Sequence, residues 1–286
     1  MHHLFSYKIL IFTGERLPVG EQVYMAVSND NNPGSWTTLN SGEPVLTSDV
    51  GMKGIRDPSL IISPDRSKFF LINTDLKVYG LGWDNGTCFT CNGSKSIIVW
   101  ESTDLVNWTG PSTPVVSPPE AGMTWAPDAI WDPVREKYMM FWTSKINGVL
   151  KTLRAWTGDF KEFTPAEVYV ELGMDNTIVY DDETEKYYMV SKNGPDELIQ
   201  QNVADALDGP WEMVAEGIGK GMPAGEGPLV FRDNVDRQKW HLWIDDYLRG
   251  GGYLPFETHD LAGGKWTASD GFKLPANPRH GYVVSM

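Results

Sequence analysis

Two patterns alternate along this chain, and together they leave few folds open. The first is a short polar turn that carries an Asp and closes on an aromatic ring. It occurs in SNDNNPGSW ending at Trp36, ESTDLVNW at Trp108, WTGDFKEF at Phe163, NVADALDGPW at Trp211 and THDLAGGKW at Trp266, spaced by 72, 55, 48 and 55 residues. The second is an apolar strand, an acidic turn and an aromatic strand. Its copies are DPSLIISPDRSKFFLINTD from Asp57, PDAIWDPVREKYMMFWTS from Pro127, DNTIVYDDETEKYYMVSKN from Asp175 and EGPLVFRDNVDRQKWHLWIDD from Glu226. Ile, Val, Tyr, Phe and Trp fill the strands, while Asp, Asn, Gly and Pro fill the turns. No segment carries a long helical period.

Units of about 50 residues, each a small antiparallel sheet, imply a β-propeller. A β-helix needs shorter and more regular repeats, and a sandwich has no reason to keep acidic residues in one phase. The expectation is an all-β, five-bladed propeller that occupies residues 1–286 as a single domain. The fifth blade joins the final RHGYVVSM strand to the N-terminal YKILIFTG and QVYMAVS strands. Such a closure ties both ends of the chain into one sheet and removes free edges.

The first strand of every propeller blade lines the central channel. Here the starts of those strands hold Asp57, Asp128, Asp175 and Glu226, with His280 on the closing strand. Carboxylates crowded and desolvated in one cleft destabilise a fold unless function rewards them. Glycoside hydrolysis gives a reason: one carboxylic acid protonates the leaving oxygen and one carboxylate activates water. A third carboxylate can raise the pKa of the acid. Taken singly, Asp57 and Asp128 sit in DP and PD contexts where an Asp equally caps a turn. Glu226, in GEGP, is harder to explain by turn chemistry, and His280 alone is equally well a structural histidine.

The formal net charge of −14 and the lack of a basic stripe argue against nucleic acid. Acidity by itself promotes solubility. No run reaches the roughly 18 apolar residues that span a bilayer, so no membrane partner is expected. The 12 Trp serve packing or sugar stacking. Sequons at Asn85, Asn92 and Asn107 suit a secreted, extracellular protein. Cys88 and Cys91 lie in a Gly/Asn-rich loop with no His nearby, which suits neither zinc nor a redox motif. A local disulfide and two free thiols both remain open.

These segments resemble glycoside hydrolase family 43, a group of inverting five-bladed propeller enzymes, and the resemblance covers nearly the whole chain. EPVLTSDVGMKGIRDPS (43–59) resembles its first-blade segment, which implies Asp57 as general base. WAPDAIWD (125–132) resembles the second-blade motif whose Trp, here Trp125, lines the sugar pocket. Asp128 in that segment either bonds a sugar hydroxyl or fixes the turn. GMDNTIVYDDETEKYYMV (173–190) resembles the third-blade strand whose Asp, here Asp175, tunes the acid and orients substrate. GEGPLVF (225–231) resembles the segment that carries the general acid, Glu226. RHGYVV (279–284) resembles the closing segment whose His, here His280, lies in the channel near a calcium ion or water.

There are departures. The third-blade triplet reads DNT where the family has DPS or similar, and a strand pair precedes the first catalytic blade. RDPS stands where invertase-like propellers carry an NDPNG-type segment, which favours inversion. The resemblance implies a glycosidase acting on plant cell-wall polysaccharide, with exo-acting α-L-arabinofuranosidase preferred over β-xylosidase, arabinanase and exo-galactanase. It implies a carbohydrate partner, no required cofactor, a structural calcium in the channel and a monomer. The long loop from Lys77 to Lys95, with Trp83 and Phe89, is expected to wall the pocket. A non-catalytic carbohydrate-binding propeller is the alternative of another class; it would lose one of the three acids.

Overall fold

The structure is a computed structural model that describes residues 6–84, 86–171, 173–194 and 197–286. It contains five four-stranded antiparallel sheets. The N-terminal strands β1 (Tyr7–Phe12), β2 (Tyr24–Ser28) and β3 (Trp36–Thr38) belong to the closing blade. Blade 1 holds β4 (Ile55–Ile62), β5 (Phe69–Asp75), β6 (Ile97–Ser102) and β7 (Trp108–Ser112). Blade 2 holds β8 (Trp125–Asp132), β9 (Lys137–Ile146), β10 (Val149–Thr157) and β11 (Glu167–Val170). Blade 3 holds β12 (Met174–Asp181), β13 (Lys186–Lys192), β14 (Ile199–Ala204) and β15 (Glu212–Ile218). Blade 4 holds β16 (Glu226–Arg232), β17 (Trp240–Asp246), β18 (Gly252–Thr258) and β19 (Thr267–Ala268). The last strand, β20 (Arg279–Ser285), pairs with β1, so the closing blade runs β20-β1-β2-β3. The five-bladed propeller expected from the repeats is therefore observed, with its closure made from both ends of the chain.

Packing explains why the strands read as nearly continuous apolar runs. A blade is covered on both faces by its neighbours, so alternate residues serve opposite interfaces. Phe70 and Ile72 of β5 pack toward blade 2, while Phe69 and Leu71 pack toward the closing blade. The core is accordingly five slabs, one between each pair of adjacent blades.

The polar turns that recur in the sequence join the third strand of each blade to the fourth. The hydroxyl of Ser102 accepts the backbone N–H of Asp104 and Leu105, and Asp104 in turn accepts those of Val106 and Asn107. Thr157 and Asp159 repeat the device in blade 2. An apolar anchor, Leu105 or Phe160, is buried beneath each of these two turns. The repeated Asp in these turns is thus a cap that satisfies backbone donors.

Cys88 and Cys91 form a disulfide, which settles the choice left open by their spacing. Of the three sequons, Asn92 and Asn107 are exposed, and Asn85 lies outside the described residues. Among the described residues no helix is long and apolar enough to cross a membrane.

Candidate active site

Every inner strand carries a bulge near its start, where the strand advances three residues against two on its partner. Arg56, Trp125, Met174, Glu226 and Arg279 are the last paired residues before the bulge. Asp57, Ala126, Asp175 and Gly227 follow with φ of 52°, 49°, 54° and 49°, and His280 holds the same place in β20. Ser59, Asp128, Thr177, Leu229 and Tyr282 resume the pairing. Asp is among the few side chains that tolerate positive φ, which suits Asp57 and Asp175 to this corner. Gly227 is required for a second reason: a Cβ there would lie 2.4 Å from Cγ of His280. Pro58, Pro127 and Pro228 occupy the unpaired position, where no N–H is needed. In blade 3 that position is Asn176, whose amide donates to Thr152 Oγ1, so DNT keeps the bulge that DPS makes elsewhere.

The expected common phase of the four acids is therefore corrected. Asp57 and Asp175 occupy the bulge, Glu226 precedes it by one residue, and Asp128 follows it. The one-residue offset still brings Asp57, Asp175 and Glu226 to one cavity of about 420 Å³, lined also by Trp125, Met174, Trp83, Tyr247 and His280. Asp128 is not among its lining residues. Its Oδ1 accepts Ser59 Oγ at 2.6 Å and the Ala129 N–H at 2.8 Å, deeper in the channel. Asp128 thus links blade 2 to Ser59 of blade 1.

Asp57 Oδ2 accepts the hydroxyl of Thr74 at 2.7 Å, and Oδ1 lies 3.3 Å from His280 Nδ1. Burial disfavours its charge, but the His280 ion pair and hydrogen bond, with Arg56 and Thr74, outweigh burial and hold Asp57 below the usual carboxylate value. Asp175 receives the Gly227 N–H at 3.3 Å and stands 3.9 Å from His280 Nδ1. Burial pushes Asp175 up to about 6, against the pull of His280 and with help from the charges of Glu226 and Asp57. Glu226 Oε1 accepts Arg279 Nη2 at 2.8 Å, and Oε2 lies 3.8 Å from Lys192 Nζ. His280 is itself depressed by burial, yet Asp57, Asp175 and Glu226 raise it to about 9. It is a cation between two carboxyls. Among the described residues no three or more His, Cys, Asp or Glu converge as a metal cage.

Sequence reasoning missed the basic half of the site. Arg56 sits between the rings of Phe12 and Trp83 and pairs with the fully buried Glu21. Glu21 also accepts the N–H groups of Val78 and Tyr79, which fixes the start of the long loop. Trp83 lines the cavity, donates to Glu15 Oε1 at 3.0 Å and meets Trp125 edge-on. Phe89 does not line it; it is buried against Leu76 and Val78 beneath the loop. The available signal was the arginine next to two of the five bulge residues, in RDPS and RHG, which the sequence shows but does not orient.

These pairings predict how stability varies with pH. A carboxyl with a raised folded pKa binds its proton more tightly folded than unfolded, so its contribution is lost as pH rises from about 4. The loss runs to about 6 for Asp175 and Asp245 and to about 7 for Asp128. His280, raised from 6.5 to about 9, contributes fully below the lower value and loses its contribution up to the higher. Asp57, held low, acts oppositely and only in stronger acid. The melting temperature is therefore expected to be about 5 °C or more higher at pH 5 than at pH 8.5. Asp128→Asn should flatten part of that slope. A melting temperature that stays level or rises over this interval contradicts the assignment.

The chain belongs to a glycoside hydrolase family 43-related family. The family model, described as "Probable glycosyl hydrolase domain", matches residues 3–286. A curated relative, the α-L-arabinofuranosidase of Bifidobacterium longum subsp. longum, is 34% identical over 184 residues. That match covers 56% of this chain and 17% of the relative, so the chain spans about a sixth of that protein's length. An exo-β-1,3-galactanase from Phanerochaete chrysosporium superposes with a TM-score of 0.63 at 13% identity, covering 94% of this chain and 61% of the other. An endo-1,4-β-xylanase from Bacteroides thetaiotaomicron gives 0.60 at 14% identity, covering 93% and 90%. A Bacillus subtilis arabinanase gives 0.54 at 16%, covering 79% and 83%. At these identities the structural neighbours carry the fold alone.

Proposed function

We propose that this family 43-related protein is an inverting, exo-acting glycosidase that releases terminal α-L-arabinofuranosyl groups from plant cell-wall polysaccharide. The observation that carries it is the meeting of Asp57, Asp175 and Glu226, from three blades, around one cavity. Glu226 in its protonated form donates to the glycosidic oxygen as the C1–O bond breaks. Asp57, ionised, takes a proton from the water that attacks C1 from the opposite face. Arg279 and Lys192 stabilise the carboxylate that donation leaves on Glu226. Asp175 orients the sugar. Trp125 supplies an apolar wall.

The arabinose preference draws support from the curated relative's name and from the walling of the cavity by Trp83, Glu15 and Tyr247, which suits a chain end. In this reading residues 1–286 form one catalytic domain that acts as a monomer without a cofactor. An exported protein fits the exposed Asn92 and the Cys88–Cys91 disulfide, since disulfides persist in oxidising surroundings.

The test is a panel of aryl glycosides, arabinan and arabinoxylan, with NMR on the anomer first released. Arabinose should appear first as the β anomer; a first-formed α anomer would end the inverting reading. Glu226→Gln should lose roughly 10²–10³-fold on substrates with poor leaving groups and less than tenfold on dinitrophenyl glycosides. Equal losses on both would remove Glu226 from the role of acid.

A further inference from the structure

Arg279 is held by more than the acid it touches. Its three nitrogens face three different carboxylates: Nη2 donates to Glu226 at 2.8 Å, Nε donates to Asp245 at 2.6 Å, and Nη1 lies 3.9 Å from Glu15. Asp245 stands on β17 directly across from Glu226 in the pairing of β16 with β17. It is wholly buried and does not line the cavity. The Oδ2 that takes the guanidinium also accepts the backbone N–H of His280 at 3.2 Å. One carboxyl oxygen therefore grips both the side chain and the main chain of the closing strand. Beneath the guanidinium lies the Phe12 ring, 5.5 Å from its central carbon. The fork is fixed in both plane and rotation.

We infer that Asp245 is the positioning residue of the proton donor: it sets the angle at which Arg279 presents Nη2 to Glu226. It acts through Arg279 and touches no substrate. This inference rests on Glu226 being the acid. A loose carboxyl beside a sugar samples many rotamers, and small misplacements in a transfer step are costly. Asp245 cannot be replaced in this role by the other groups facing Glu226. Lys192, from β13, is a point charge 3.8 Å away, and Asp175 and His280 approach from the channel side. Glu15 reaches Arg279 from the β1–β2 loop, where it is also shared with Arg56 and Trp83.

The test compares Asp245→Asn, Arg279→Lys and the double variant on aryl arabinofuranosides of graded leaving-group acidity. Asp245→Asn keeps the size of the side chain and removes its charge; Arg279→Lys keeps charge and removes the fork. Each is expected to lower kcat on the poorest leaving group on the order of tenfold to a hundredfold. On the dinitrophenyl substrate each should change it less than threefold, with KM nearly unchanged. The double variant should be no worse than the poorer single one, because both break the same link. If Asp245→Asn does not fold, Arg279→Lys still reports the leaving-group signature. Losses equal across leaving groups, or additive losses in the double variant, overturn the inference, as does a lowered melting temperature with unaltered leaving-group dependence. Glu226→Gln is measured alongside. If Glu226→Gln shows the signature and Asp245→Asn does not, the positioning role alone fails. If Glu226→Gln lacks it, the acid assignment and the inference fail together.

Discussion

Asp57→Asn is expected to lower kcat/KM roughly 10⁴-fold, and by the same factor for an activated phenol as for a sugar leaving group. The base works on water, so the acidity of the departing oxygen should not matter. No neighbour can take over. Thr74 donates its hydroxyl to Asp57 and accepts the Ala126 N–H, so it is engaged on both sides. Asp175, the other carboxyl beside His280, is pushed up to about 6 chiefly by burial and is the weaker candidate for an ionised base. Asn tolerates the positive φ of this corner, so the chain should still fold. The variant is checked by near-UV circular dichroism before kinetics. A loss below about tenfold, or one that grows with poorer leaving groups, would move the base elsewhere.

Trp243→Ala is expected to destabilise the protein by about 3–5 kcal/mol, read from urea unfolding. Trp243 is fully buried on β17, in the slab between blade 4 and the closing blade. Trp36, Phe231, Phe272 and Tyr253 surround it with ring centroids 5.2–6.1 Å away, three of them edge-on. Its indole N–H is buried without a partner. Trp243→Phe therefore removes an unpaired donor along with some contact area and should lose much less. Trp243 lies two residues before Asp245 on the same strand, so the alanine variant should also weaken catalysis. A loss under about 1 kcal/mol would mean that this slab repacks freely.

The blades were legible because each repeats a strand, a tight turn and a capped polar turn. Ser102 with Asp104, and Thr157 with Asp159, write those turns into the sequence. The three acids were legible because each stands at the entry to an inner strand. Their offset was not. Whether Glu226 or Gly227 occupies the corner depends on which residue goes unpaired, and pairing is a property of two strands. The phase of Asp128 was misjudged for the same reason: beside Pro127 it resembles Asp57 beside Pro58, yet it sits after the proline and faces Ser59. Arg56, Arg279 and Asp245 were visible as letters only. Their meaning arises where β4, β17 and β20 converge, and nothing in one strand announces its neighbour's charge. Phe89 was assigned to the pocket wall because loop aromatics often are, but an apolar ring found better cover against Leu76 and Val78.

The closing blade also sets the order of events during synthesis. A ribosome that has released the first 278 residues has already made Asp57, Asp175 and Glu226, but neither Arg279 nor His280. Until β20 emerges, the acids face each other without two of their counter-ions, and β1 to β3 wait without an inner strand to join. The contacts that end this wait link residues at opposite ends of the chain, the slowest kind to form. Ring closure and charge neutralisation at the site should then arrive together when β20 pairs with β1, so that a chain in which β20 has not yet docked is both unsealed and inert.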